Sequence, residues 1–144
     1  MLRVRRAAAS DADPVFALTR EFSTSFEPEA DAFNRAFVRL IEGEEVLLLL
    51  AETDGVVSGY LLGFMHDTLF ANGPVAWVEE VMVDERFRRV GIGRELMGEF
   101  EVWARLRGAK LIGLATRRAS DFYLTLGYEQ SAAYSRKLLE PPIG

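Results

Sequence analysis

Cysteine is absent from this chain, which rules out disulfide frameworks, thiolate metal sites and any acyl-cysteine intermediate. Histidine occurs once, at His66, so no metal site is expected from it and the scattered carboxylates. At the end of a strand-like run, His66 reads as a polar edge residue, a base or a proton relay. Long apolar runs are also missing: the longest, Val46 to Ala51, has strand length rather than membrane length. Met1-Leu2-Arg3-Val4-Arg5-Arg6 carries charge from the start with no apolar stretch behind it, so neither a signal peptide nor a membrane partner is expected, and the expected location is cytoplasmic. Basic excess is lacking too. With 17 Lys and Arg against 22 Asp and Glu, and a pI near 5.0, there is no phosphate-neutralising stripe, and nucleic acid is not an expected partner.

At 144 residues and 49% hydrophobic content the chain is expected to form one domain over 1–144 with a substantial core. Its charge is divided by position. Residues 1–83 hold 6 basic and 14 acidic side chains, whereas residues 84–144 hold 11 basic and 8 acidic. A polyanionic ligand would sit on the second half, beside Arg86, Arg88, Arg89, Arg94, Lys110, Arg117 and Arg118, leaving an acidic side for a cationic one.

The pattern along the chain predicts a strand at Leu2–Arg5, then a helix opened by Ser10-x-x-Asp13 with Pro14 and running to about Ser25. Pro28 opens a second helix whose Phe33, Phe37, Leu40 and Ile41 recur at helical spacing until Gly43. Phe22, Phe26, Phe33 and Phe37 are core aromatics or the wall of a substrate pocket. Val46–Thr53 and Val56–Phe64 flank Asp54-Gly55, a strong hairpin signal. A turn at Asn72-Gly73-Pro74 delivers a third strand over 75–83, Ile92, Leu96, Phe100 and Trp103 form one face of a helix ended by Gly108, and 111–115 reads as a short buried strand. A short helix over 119–126 and a last strand near 134–139 complete an α+β plan, a mixed sheet with helices on both faces.

Between the third strand and the following helix lies Arg88-Arg89-Val90-Gly91-Ile92-Gly93. Two glycines at a helix start let backbone N–H groups converge on an oxyanion at the positive helix end, and phosphate is the fitting guest. Other phosphate motifs fit worse. A P-loop needs Gly-Lys followed by Ser or Thr, and a dinucleotide fold needs a third glycine where Leu96 stands.

Arg88-x-x-Gly91-x-Gly93 resembles the pyrophosphate-binding signature of the GNAT superfamily of acyl-CoA-dependent N-acyltransferases. A second block, Thr116-Arg117-Arg118-Ala119-Ser120-Asp121-Phe122-Tyr123-Leu124-Thr125-Leu126-Gly127-Tyr128, resembles that family's Asn-x-x-Ala-x-x-Phe-Tyr-x-x-x-Gly-Phe at the right separation. The resemblance is carried by residues 75–139. It implies a GNAT-like fold, with a central, largely antiparallel twisted sheet and helices on both faces. It further implies transfer of an acetyl group from acetyl-CoA to a primary amine, of a small molecule or a protein, by direct attack in a ternary complex. The alternative is a non-catalytic acyl-CoA-binding sensor or interaction module, and a homodimer is left open.

For the residues, the resemblance implies that the pantetheine arm bonds to strand backbone at Val81, Met82 and Val83, and that Arg88, Arg89, Val90, Gly91, Ile92, Gly93 and Arg94 hold the pyrophosphate. Thr116 stands where the family often has Asn, and its shorter hydroxyl puts contact from that position in doubt. Tyr123 matches the tyrosine whose hydroxyl serves the departing sulfur. Glu79 and Glu80 are the candidate bases for the amine. Strand alternation sends one of them toward substrate, but a bulge would break the alternation, and some relatives have an acid four positions before the strand-final valine, which favours Glu79.

Overall fold

The structure, a computed structural model, describes residues 1–23 and 25–140. Asp54 and Gly55 both adopt positive φ, 52° and 82°, as a two-residue hairpin turn requires, and they join β2 (Val46–Thr53) to β3 (Val56–His66) antiparallel. The strand β1 (Leu2–Arg6) pairs with β2, and β4 (Val75–Val83) pairs antiparallel with β3. The helix α3 (Ile92–Leu106) then crosses over to β5 (Ile112–Leu114), which runs parallel to β4, giving the order β1-β2-β3-β4-β5. Between β1 and β2 come α1 (Ala12–Phe22) and α2 (Ala30–Glu42), and α4 (Ser120–Thr125) follows β5. No helix among the described residues is long and apolar enough to cross a membrane.

The leucine run in β2 is apolar throughout because the sheet is covered on both faces. Leu47 and Leu49 pack with Leu61, Met65 and Val78 against Ile92, Leu96, Met97 and Phe100 of α3. Leu48 and Leu50 pack with Tyr60, Leu62 and Met82 against Val15 and Leu18 of α1 and Phe37 of α2. Gly63 lets α3 sit close: a Cβ there would lie 2.1 Å from Phe100 Cε1.

Three details depart from the sequence expectation. Ser10 does not cap α1; the N-cap is Asp11, whose carboxylate accepts the Ala8 N–H at 2.7 Å and two Arg5 N–H groups at 2.8 Å each. Arg5 thereby holds the Asp11 carboxyl below the usual carboxylate range. The strand near 111–115 is three residues long and half-buried rather than buried. No strand forms over 134–139: Ser135-Arg136-Lys137 interrupts the alternation that would give it an apolar face. Arg136 donates instead to Ser25 Oγ at 2.9 Å, which brings this segment across to the α1–α2 connection.

Candidate active site

In β4 the pairing slips by one. Leu62 faces Glu80, Gly63 faces Val78, and Glu79 is left over as a bulge. A bulge reverses the face occupied by every later residue. Ala76 and Val78 bury toward α3 before it, Val81 and Val83 do so after it, and Met82 joins the α1–α2 side. Glu80 thus lies on the α1–α2 face, where the Tyr60 hydroxyl donates to its Oε1 at 2.8 Å. Glu79, one residue earlier, is exposed.

The same point of β4 is where the sheet opens. β5 pairs only with Ala76, Trp77 and Val78, so the β4 edge beyond the bulge has no strand beside it. The Asp84 N–H donates to Ser58 O at 2.8 Å, and a Cβ on Gly59 would lie 2.8 Å from Met82 O, so even-numbered residues direct their backbone groups at β3. By the two-residue period Val81 and Val83 direct theirs to the open edge. Arg88 Nε meets the Val83 carbonyl there, at 3.2 Å.

Arg89 and Gly91 have positive φ, 68° and 88°, and turn the loop into α3. The helix has no side-chain cap, and its first ladder bond runs from Glu95 N–H to Gly91 O at 3.0 Å. The N–H groups of Ile92, Gly93 and Arg94 precede that bond at the positive helix end. A Cβ on Gly91 would meet nothing within 4 Å, so the space over the loop is open. Gly93 also has a packing role. Its Cβ would come within 3.2 Å of Phe122 Cζ, so it admits the α4 ring against the start of α3. Arg86 is bound by Asp84 at 2.9 and 3.1 Å, which leaves Arg88, Arg89 and Arg94 as the cations of the loop. These features fit a pyrophosphate: uncapped donors, helix polarity, open space and positive charge.

Tyr123 is half-buried on α4, edge-on to Phe122 and Tyr128. Burial pushes its hydroxyl above the ordinary tyrosine range. Thr116 Oγ1 accepts the Ala119 N–H at 3.0 Å, so this hydroxyl fixes the turn into α4 and retains only its own proton to donate. His66 is exposed at the far end of β3, opposite Val75. It stands four residues along the strand from Leu62, the partner of Glu80, or roughly 13 Å at the usual rise.

Glu80 lines a cavity of about 120 Å³ together with Val15, Thr19, Phe33, Ala36, Phe37, Leu40, Leu48, Tyr60 and Leu62. Burial raises its carboxyl above the usual range; the Tyr60 bond opposes this and the charge of Glu79 adds to it. Tyr60 is itself raised, by burial first and by Glu80 second. Thr19 Oγ1 lies 3.3 Å from the Tyr60 oxygen and 2.9 Å from Val15 O, and its one proton goes to the nearer carbonyl. Thr19 and Phe33 also line an open groove of about 530 Å³ whose other walls include Phe26, Glu27, Glu29 and Glu140. Phe26, Phe33 and Phe37 therefore do wall cavities, whereas Phe22 lines neither. Tyr60 and Thr19 were not legible as site residues. The sequence signal was a single hydroxyl in the apolar stretch Gly59–Met65, and only the cross-strand diagonal, Tyr60 opposite Met82 and Leu62 opposite Glu80, brings it to the carboxylate.

Residues 13–128 match the family model "Acetyltransferase (GNAT) family". The chain belongs to the GNAT acetyltransferase family. Among solved structures, this GNAT chain is similar to glucosamine-6-phosphate N-acetyltransferase from Arabidopsis thaliana, at 18% identity and TM-score 0.86 over 97% of this chain and 99% of the other. It is also similar to a transcriptional regulator from Bacillus halodurans C-125, at 23% identity and TM-score 0.86 over 96% and 100%. An aminoglycoside N-acetyltransferase in complex with CoA shares 18% identity at TM-score 0.82 over 95% of each chain. At these identities the likeness establishes the GNAT fold, which hosts more than one function.

Proposed function

We propose that this GNAT domain, spanning the chain, transfers an acetyl group from acetyl-CoA to a primary amine by direct attack in a ternary complex, with Glu80 as the base. The observation that carries this reading is the carboxylate of Glu80 in the lining of an apolar cavity, one residue from the open edge of β4. An ammonium cannot attack, so a base must take its proton. Glu80 is a stronger base than an exposed glutamate because burial disfavours its charged form. Tyr60 donates to the ionised carboxylate and fixes its orientation.

Acetyl-CoA is the co-substrate. The donors of residues 91–94 with Arg88, Arg89 and Arg94 would hold its pyrophosphate, and the backbone of Val81 and Val83 its arm. The Val81 N–H, pre-aimed at the open edge, would take the negative charge that develops on the carbonyl oxygen. Glu80 takes the ammonium proton and releases it to solvent, and the neutral amine attacks. As the new C–N bond forms and the C–S bond breaks, a second proton from the attacking nitrogen goes to Glu80 while the thiolate is left for Tyr123. Because burial makes Tyr123 a weaker acid than an ordinary thiol, it serves as a hydrogen-bond donor to the sulfur, and the thiolate takes its proton from solvent or from protonated Glu80.

Release of free thiol from acetyl-CoA, measured with and without a panel of amines, tests the reading. Amine-dependent release that falls in Glu80→Gln supports it. Tight acetyl-CoA binding with no release above background would replace it with a sensor module.

A further inference from the structure

We infer that the amine accepted here is carried on a small apolar body, a short alkyl chain or a single ring, and not on a polyhydroxylated sugar. The inference rests on the proposed acetyl transfer and adds the substrate class. Phe33, Phe37, Leu40, Leu48 and Leu62 wall the cavity; among the described residues its polar side chains are Thr19, whose proton goes to Val15 O, and the hydrogen-bonded pair Tyr60 and Glu80. Its walls come from the inner faces of α1, α2, β2 and β3, whose backbone groups are bonded within their own helices and ladders. Away from these three side chains a substrate hydroxyl would leave water and meet only carbon.

Size points the same way. The cavity, at about 120 Å³, is slightly smaller than an engineered apolar cavity of roughly 150 Å³ that takes up benzene, so one ring or a short alkyl chain fills it. The adjoining groove, with Glu27, Glu29 and Glu140 on its walls, favours arrival of the protonated amine, and Glu80 in the cavity lining is the group that removes the proton.

The test is a matched series of ethylamine, propylamine, butylamine, phenethylamine, glucosamine and glucosamine 6-phosphate, with acetyl-CoA and free-thiol detection, on the wild type and on Ala36→Leu. Ala36 lines the cavity from a helix, where leucine is well tolerated, so the variant narrows the space while keeping the fold. The expected kcat/KM rises about fourfold per methylene from ethylamine to butylamine. Glucosamine should trail butylamine by roughly 100-fold, since several hydroxyls are left unpaired. Ala36→Leu should cut phenethylamine turnover at least tenfold and ethylamine turnover by a clearly smaller factor. A flat alkyl series, or either sugar outrunning butylamine, overturns the inference while acetyl transfer stands. Should no amine release thiol, the proposed transfer fails, and calorimetry of phenethylamine without acetyl-CoA decides the ligand class. Binding that Ala36→Leu abolishes supports the apolar-amine site, and absence of binding to the wild type overturns it.

Discussion

Tyr60→Phe removes one oxygen from a side chain that is 1% exposed and leaves its ring in place. The lost bond is the 2.8 Å contact to Glu80, which stabilises the ionised carboxylate. A hydrogen bond to a charged group contributes about 1.5–3 kcal/mol. At about 1.36 kcal/mol per tenfold, the ratio of ionised to protonated Glu80 at fixed pH should fall roughly 10- to 100-fold. The acidic limb of the kcat/KM profile therefore moves to higher pH, and the high-pH plateau stays within about threefold of wild type because the cavity keeps its shape. Stability should respond in the same direction. A carboxyl raised above its unfolded pKa contributes stability at low pH that is lost as pH rises through the folded value, and the variant, raised further, carries a larger loss at neutral pH. The assay is thiol release across about pH 5 to 9, paired with thermal melts at the same pH values. An unmoved acidic limb, or an equal loss at every pH, would refute the assignment of Glu80 as the base tuned by Tyr60.

Glu80→Gln should lower turnover by roughly 10² to 10⁴ with partial recovery at high pH, and should melt higher than wild type at neutral pH because no charge is left to bury; Glu79→Gln, at the exposed bulge, should stay within about threefold in both. Tyr123→Phe should reduce kcat by about 10- to 100-fold, the range for one hydrogen bond to a developing charge, with the KM for acetyl-CoA little changed; a wild-type kcat would show that the sulfur needs no donor. Gly91→Val has room for its Cβ but is forced to φ 88°, so stability should drop by about 1–2 kcal/mol, and calorimetry should show at least tenfold weaker acetyl-CoA binding.

The strands and long helices were readable because each carries its own local signal: Asp54-Gly55 for the hairpin, and the 3.6-residue stripe of Ile92, Leu96, Phe100 and Trp103 for α3. The glycine loop was readable for the same reason, since positive φ at Gly91 is written in the residue type. The packing of Phe122 against Gly93 was out of reach because the two are 29 positions apart. The face of Glu79 and Glu80 was out of reach because one bulge inverts the alternation, and nothing in Trp77-Val78-Glu79-Glu80-Val81 marks which residue is extra. The expected last strand failed where three polar residues in succession left no face to bury. Tyr60 and Thr19 meet Glu80 through tertiary packing of β3, β4 and α1, which no local pattern encodes.

A single-turnover reaction with acetyl-labelled CoA and butylamine, quenched and resolved by mass spectrometry, tests the central claim most directly. Direct transfer at the Glu80 site predicts that the label appears on the amine in step with free CoA, that none is found on the protein, and that Glu80→Gln slows both together. Label retained on CoA in the presence of every amine, or label carried on the protein before it reaches the amine, would contradict it.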